Sequence, residues 1–453
     1  MRIILTTHQF VPDYSSGTEI LTFETAKVLQ RLGHDVSVFT GYPTKDQVPD
    51  AERFDQYAYE SINVVRFYHN YVPMGDQSSV LELEYDNHLV ASYFKKYLRR
   101  EKPDVIHFFH LMRLSASIVD VCHELGIPTV LTPTDFWFIC PTCQLRLPNN
   151  ENCSGPKKSG VNCLRHIVAN NQPSKINAWI QIFPDWVLAA LVFSIKHGFN
   201  FDKRYSPWVR ALSRRPEFLQ ARLNRINKVA VPTQIMVSIL TQNGLEKHRA
   251  ISIPFGLNLT YLENSKRPEP SNILRLGYIG TLSEHKGVHV LVEAVKKLDG
   301  KPIELKIYGK LDDFPDYVEN LRRIIQDDPR IKLCGAFPND KIGTIFSGLD
   351  ALVVPSLWYE NSPLVIYSAQ FAKCPVIASN MKGMSEVIEH KKNGLLFEAG
   401  NISQLAGAIG TLLDNKDLLQ ELSNNAKQPL SIRGYVDKLL KIYYDLVQSR
   451  TSV

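Results

Sequence analysis

Short apolar runs alternate along this chain with longer stretches whose apolar positions recur every three or four residues. Ile3 to Thr6 is a buried-strand pattern, followed by a turn-rich segment from Pro12 to Gly17 and a helical pattern from about Thr18 to Leu32. Gly33-His34 ends that helix, and Val36 to Thr40 predicts the next strand. Val105 to Phe109 and Thr129 to Thr132 predict two more, each reached from a helix. The order is that of βαβ units, whose strands lie parallel and are buried on both faces. The pattern breaks between residues 140 and 228, where a Cys- and Asn-rich loop gives way to an aromatic, basic stretch without strand character. It resumes at Lys228 to Pro232. Glu263 to Asn272 is polar and proline-bearing and reads as a linker. A second series then follows, with strands at Arg275–Ile279, Leu305–Tyr308, Ile331–Leu333, Ala351–Val354 and Pro375–Ala378. The predicted architecture is two doubly wound α/β halves, with ligands at the carboxyl ends of the strands in a cleft between them.

Composition narrows the class. At 453 residues, 44% apolar and 22% charged, the chain has the statistics of an ordinary globular protein with room for two or three domains. No repeat of a solenoid kind is visible. The first residues are too short an apolar run for a signal peptide, and Trp186 to Ile195 is about half the length of a membrane span. Seven cysteines, an odd number, fit a reducing compartment. These features predict a cytoplasmic protein.

The formal charge of +6 is unevenly spread. Residues 157 to 228 hold thirteen basic side chains against three acidic ones, a surplus larger than that of the whole chain. Trp179, Trp186 and Trp208 lie among them with Phe183, Phe193, Phe199 and Phe201. Tryptophan and arginine beside a short apolar run is the profile of a segment at an anionic membrane surface, on the inner face of the plasma membrane. A basic helix pair on the protein surface is the alternative. No nucleic-acid recognition motif accompanies the charge, so nucleic acid is not an expected partner.

Candidate chemistry concentrates between Gly277 and Gly400. Gly277 to Gly287, GYIGTLSEHKG, is a strand, a glycine turn and a lysine at a helix start. Glycine lets backbone N–H groups approach an anion, and Lys286 adds positive potential. Pro355 to Tyr367, PSLWYENSPLVIY, follows a strand and places Glu360 at its carboxyl end. Ser362 and Pro363 read as the cap and first-turn residues of the next helix. Free N–H groups there suit a sugar or phosphate oxygen, and a carboxylate suits sugar hydroxyls. In the N-terminal half, His107 and His110 sit on one strand end, with His110 favoured for the site. Asp135 suits either acceptor hydroxyls or a capping role. Cys140, Cys143, Cys153, Cys163 and His166 supply five soft or borderline ligands where a tetrahedral zinc needs four. A structural zinc and a set of free thiols are the two readings.

These motifs resemble family-four retaining glycosyltransferases, in particular bacterial cell-surface polysaccharide enzymes. The likeness is carried by GYIGTLSEHKG, GLDALVVPSLWYENSPLVIY, PVIASNMKGMSEVI and NGLLF. In the N-terminal half, PDYSSGTEI, RLGHDVSVFT, VIHFFHLMRLS and PTDFW carry it. The resemblance implies a GT-B fold of two Rossmann-like domains. Residues 1–262 would bind the acceptor, with the Cys-rich loop at 140–166 and the basic insertion at 170–228. After a linker at 263–272, residues 273–430 would bind the donor, and 431–453 would form a helix crossing back to the N-terminal domain. It implies a hexosyltransferase-type enzyme that moves a sugar from a UDP-, GDP- or ADP-sugar to a lipid-linked or glycan acceptor with retention. No metal is required for the transfer.

By the same resemblance Gly17 approaches the diphosphate, as do Gly280 and Thr281, and Lys286 neutralises it. Glu360 holds the sugar with Asn361, Ser362, Pro363 and Leu364. Gly309 and Phe337 line the base pocket, and His110 faces donor sugar or acceptor. Ser368 stands where the family has a second glutamate on the ribose hydroxyls. Losing that charge-assisted hydrogen bond weakens donor binding by roughly 1.5–3 kcal/mol. A donor-binding protein without turnover and an enzyme acting on a small soluble acceptor are the alternatives.

Overall fold

The computed structural model describes residues 1–147, 151–157, 160–171, 180–200, 205–269 and 271–451. Lys158, Lys175, Trp179, Phe201, Lys203 and Arg204 of the basic insertion lie outside the described residues. The chain forms two units: Met1–Pro232 with Met236–Pro254 and Arg433–Val453, and Thr233–Ile235 with Phe255–Ile432.

The first unit is built on an eight-stranded sheet in the order β3-β4-β2-β1-β5-β6-β7-β8. Its strands are β1 (Arg2–Thr7), β2 (Asp35–Pro43), β3 (Phe54–Tyr59), β4 (Ile62–His69), β5 (Val105–Phe108), β6 (Thr129–Leu131), β7 (Lys228–Val231) and β8 (Ala250–Ser252). All pairs are parallel except the edge hairpin β3–β4. That hairpin was not expected from the sequence. Its two-residue turn is Glu60-Ser61, with φ of 44° and 67°, where such turns ordinarily carry Asn-Gly. The inner strands are continuously apolar because helices cover both faces; Ile3, Ile4 and Leu5 are fully buried.

Between β6 and β7 the insertion is helical. Val161–Asn171, Asp185–Lys196 and Ser206–Leu223 pack around a local core that includes Leu164, Val168, Leu188, Val192 and Leu212. No helix among the described residues is long and apolar enough to cross a membrane.

The C-terminal helix, Ile432–Thr451, returns to this unit as the resemblance implied. Tyr435, Leu439 and Tyr443 are fully buried on one face. A chain of hydrogen bonds anchors it. His107 Nε2 meets Thr132 Oγ1 at 2.9 Å, Thr132 Oγ1 meets the Tyr435 hydroxyl at 2.9 Å, and the Tyr443 hydroxyl meets His107 Nδ1. Of the two strand-end histidines, His107 is therefore the structural one.

The second unit has the order β11-β10-β9-β12-β13-β14, all parallel. Its strands are β9 (Leu274–Ile279), β10 (Ile303–Tyr308), β11 (Ile331–Gly335), β12 (Ala351–Val354), β13 (Val376–Ser379) and β14 (Gly394–Phe397). Successive β12 residues feed opposite cores. Ala351 and Val353 pack with Leu276 and Leu291, while Leu352 and Val354 pack with Phe346 and Ile366. The segment 263–272 belongs to this unit rather than bridging to it. Arg267 donates to the Leu349 and Asp350 carbonyls at 3.0 and 2.9 Å, and so fastens that stretch to the start of β12.

Two consequences are measurable. Tyr443→Phe leaves a buried His107 nitrogen without its partner, so unfolding free energy should fall by about 1–3 kcal/mol in denaturant titration; an unchanged midpoint rejects the anchoring role. Burial also pushes His69 and His107 down to about 3 from 6.5, and His8 well below it. The unfolded chain then binds protons that the folded chain refuses. Stability is full above pH 6.5 and is lost as pH falls toward 3, each group contributing up to about 1.4 kcal/mol per pH unit. A melting temperature that stays flat from pH 7 to 5 contradicts this.

Candidate active site

In an open parallel sheet the strand order reverses at one point, and the loops leaving the two central strands there diverge to leave a crevice at their carboxyl ends. In the second unit that point lies between β9 and β12. The two loops leaving these strands are the two motifs singled out in the sequence, Gly280–Gly287 and Pro355–Pro363. They interlock through backbone. The Leu357 amide donates to the His285 carbonyl at 2.8 Å. Gly287, at φ 70°, lies so close that a Cβ there would stand 2.0 Å from the Pro355 carbonyl oxygen. Gly383, at φ 96° on the next turn, would place its Cβ 1.9 Å from the carbonyl oxygen of Glu360 itself.

This packing brings Lys286 and Glu360 together across 74 residues of chain, with Nζ 2.6 Å from Oε1. Ser356 Oγ and Trp358 Nε1 donate to the same oxygen at 2.6 and 3.0 Å. The lysine ammonium also stands 5.1 Å from the Trp358 ring centre. Glu360 is buried. Burial pushes its carboxyl up, but the Lys286 charge and the three donors outweigh that and hold it below the usual glutamate range. All three donors converge on Oε1, so Oε2 is the oxygen that can accept a further hydroxyl. Ser356 and Trp358 were missed as partners, although they stand in the same quoted motif.

Beside Glu360 the helix Leu364–Phe371 begins. Its cap is Pro363, not Ser362 as the sequence implied, and Pro363 offers no capping side chain. The Ser362 hydroxyl instead meets the Tyr367 hydroxyl at 3.2 Å. The first N–H groups of the helix are thus without a side-chain cap, which suits an anion or a sugar oxygen. Asn361 and Ser362 are buried at this corner. Gly280 and the exposed Thr281 lie at the end of β9, where the Tyr278 hydroxyl donates to the Thr281 carbonyl at 2.7 Å.

Other donor-side expectations change. Ser368 is buried, and its hydroxyl turns back to the Leu364 carbonyl at 3.1 Å, the usual habit of a helical serine. It does not present a group for a ribose. Gly309 is accounted for by packing, since a Cβ there would stand 2.3 Å from the Gly280 carbonyl oxygen. Phe337 stands edge-on to Tyr308, ring centres 5.5 Å apart, at the same ends of the strands.

The first unit gathers a polar cluster by the same topology, at the ends of β1, β5 and β6. His110 Nε2 lies 2.8 Å from Asp135 Oδ2, and the Met112 amide donates to His110 Nδ1 at 3.0 Å. The second contact makes Nδ1 the acceptor, so Nε2 carries the proton and donates to Asp135. Neither nitrogen of His110 is then free for a substrate. His110 holds Asp135, which also accepts the Trp137 amide on Oδ1 at 2.8 Å. Asp135 thus caps the segment that follows it, one of the two roles that the sequence left open. His8 packs against His110 with ring centres 4.3 Å apart, and the fully buried Glu19 lies 3.4 Å from His8 Nε2. Burial raises the Glu19 carboxyl. The sequence reading passed over both, because an acid in a first helical turn reads as an ordinary dipole partner. Gly17 is exposed and opens the helix Gly17–Arg31, whose cap Ser16 makes no side-chain bond.

The five proposed zinc ligands separate. Cys143 joins His110 and Asp135 in a group whose ligand atoms lie within 4.8 Å of one another, the one such threesome among the described residues. With both His110 nitrogens engaged, that group is a poor metal site. Cys140, Cys153, Cys163 and His166 instead line one small cavity together.

Residues 15–170 match the model for Glycosyltransferase Family 4, and residues 262–429 match that for Glycosyl transferases group 1. An uncharacterized glycosyltransferase of Methanocaldococcus jannaschii is 27% identical over 165 residues, covering 36% of this chain and 42% of the relative. The poly(ribitol-phosphate) alpha-N-acetylglucosaminyltransferase of Staphylococcus aureus is 25% identical over 264 residues, covering 57% and 50%. The chain spans about half the length of the curated relatives it matches. HepE of Anabaena, solved with UDP and glucose, superposes with a TM-score of 0.65 at 16% identity, covering 98% of this chain and 99% of that one. The fold is GT-B, and the two halves of the chain match the two glycosyltransferase family models in this order.

Proposed function

We propose that this chain transfers a sugar from a nucleoside-diphosphate sugar to a glycan or lipid-linked acceptor in cell-surface polysaccharide synthesis, with retention of configuration. The observation that carries the reading is the Lys286–Glu360 pair beside the uncapped start of Leu364–Phe371. A diphosphate leaving group needs cationic and N–H stabilisation as its charge develops, and a fixed carboxylate can hold sugar hydroxyls. Lys286 and the helix N-terminus serve the first need, and Glu360 Oε2 serves the second. Retention is the outcome that the resemblance to family-four enzymes implies. Asp135, held by His110, is the acceptor-side group. Ser368 turned inward leaves the ribose without the family's carboxylate, so donor binding leans on the diphosphate contacts.

Two named proteins support the donor class and the glycan acceptor. HepE was solved with UDP and glucose, and the Staphylococcus aureus relative is named for a sugar transfer to poly(ribitol-phosphate). The enzyme acts from the inner face of the plasma membrane. Half of the ten exposed large apolar side chains in the described residues fall within 182–199: Ile182, Phe183, Trp186, Phe193 and Phe199. Trp186, Ala190 and Phe193 share the outward side of the helix Asp185–Lys196, while Leu188, Val192 and Ile195 face its core. An aromatic face within a basic segment fits an anionic bilayer better than a bare protein surface.

Incubation with UDP-, GDP- and ADP-sugars plus membrane lipid acceptor should release nucleoside diphosphate, and product anomers assigned by NMR should match the donor's. Glu360→Gln keeps the shape and removes the charge, so kcat should fall roughly 10²–10³-fold; unchanged turnover rejects the site. Sedimentation with vesicles containing anionic lipid should capture the protein at low salt and release much of it at high salt, with Trp186→Ser/Phe193→Ser weakening capture several-fold. Equal capture by neutral vesicles, or none at low salt, rejects the membrane face.

A further inference from the structure

Among its described residues, the loop from Cys140 to His166 contains little regular structure to hold it. There one bridge pairs Arg146 with Asn152, and the helix Val161–Asn171 begins only near the end of the loop. Yet the loop turns back on itself and brings Cys140, Cys153, Cys163 and His166 around a single small cavity. Cys163 and His166 are three positions apart on that helix and project from the same side. Cys153 sits at a turn where the Gly155 amide donates to its sulfur at 3.4 Å and the Asn162 side-chain amide donates at 3.7 Å. N–H donors aimed at sulfur are what a thiolate requires of its surroundings.

A second observation concerns charge. Arg215 is buried; its Nη2 donates to the Trp137 carbonyl, and its Nη1 has no hydrogen-bond partner. No carboxylate pairs with it among the described residues. The groups that act on its charge are the thiols of Cys143, Cys140 and Cys163 and the Tyr85 phenol, together with the Glu84 carboxyl, which burial pushes up toward its neutral form. A buried guanidinium without an anion is costly unless something supplies the negative charge.

We propose that Cys140, Cys153, Cys163 and His166 bind one zinc ion that staples this loop, and that the anionic complex is the counter-charge of Arg215. Zinc bound by three thiolates and one imidazole is tetrahedral and releases three thiol protons. Two positive charges against three negative ones leave the complex at −1, beside the guanidinium at +1. Cys143 is outside the set, committed to the His110–Asp135 cluster. No three of these ligand atoms lie within 4.8 Å of one another, so binding the ion requires their side chains to turn inward. The site is structural, because three thiolates and an imidazole leave no open position for substrate.

The test is metal content and not turnover, so its outcome is independent of the transferase reading. The full chain, purified without chelator, should carry about one zinc per molecule by mass spectrometry. Cys143→Ser should keep it. Cys153→Ser and Cys163→Ser should lose at least nine-tenths of it. Cobalt exchanged into the protein should show a tetrahedral spectrum with thiolate charge-transfer bands. Because a ligand variant can misfold, the wild-type chain is also titrated with a mercurial, which should release zinc in step with modification of three thiols. Protein with under a tenth of a zinc that takes up none on incubation overturns the proposal. So does zinc lost from Cys143→Ser while Cys163→Ser retains it.

Discussion

Glu360 lies buried as an anion because the Lys286 ammonium reaches it through the interlocked ends of two loops. Taking either charge out of water alone costs several kcal/mol, and removing one partner from such a pair costs about 3–5 kcal/mol. The rest of the second unit can be read as the means of holding that contact. The strand order reverses between β9 and β12, which sets their loops side by side. Gly287 and Gly383 allow backbone to touch backbone where any side chain would force the loops apart. Ser356 and Trp358 then crowd one carboxylate oxygen, so the other is left to face a ligand. For the proposed diphosphate donor, a site assembled this way needs no reorganisation, since Lys286 and the uncapped helix N-terminus are already in position.

The first unit solves a related problem with different chemistry. Its reversal lies between β1 and β5, and the segments that follow these strands carry His8, Glu19 and His110. Two histidines three residues apart receive opposite assignments. His107 is sealed between Thr132 and the terminal helix, where its neutral ring joins that helix to the sheet. His110 spends one nitrogen on the Met112 amide and the other on Asp135. Hydrogen-bond counting, rather than proximity, thus makes His110 the support of Asp135, the group proposed for the acceptor side.

The insertion between β6 and β7 adds what the two sheets lack. Its helices bury their own small core and leave an aromatic side outward, while the loop before them gathers three thiols and an imidazole beside a buried guanidinium. Both features are local balances of charge and burial. On the proposed reading they add a lipid-facing surface and a metal staple to the GT-B frame, without altering the strand ends where transfer is proposed.

Periodicity alone located most of the parallel strands, because a strand buried on both faces must be continuously apolar and its glycine and proline boundaries are local; β8 and β14 were not expected. The motif residues Lys286 and Glu360 were legible for a similar reason, being charged groups at strand ends, where a parallel sheet puts its ligands. The β3–β4 hairpin escaped because Glu60-Ser61 takes positive φ without the usual residues. Partnership was the other thing hidden. That Ser368 turns inward, that Cys143 leaves the other cysteines, that Glu19 sits under His8, and that 263–272 is fastened by Arg267 all depend on contacts between positions distant in sequence. Spacing along a chain records which groups are present, whereas only the packed structure decides which atom each of them is left to offer.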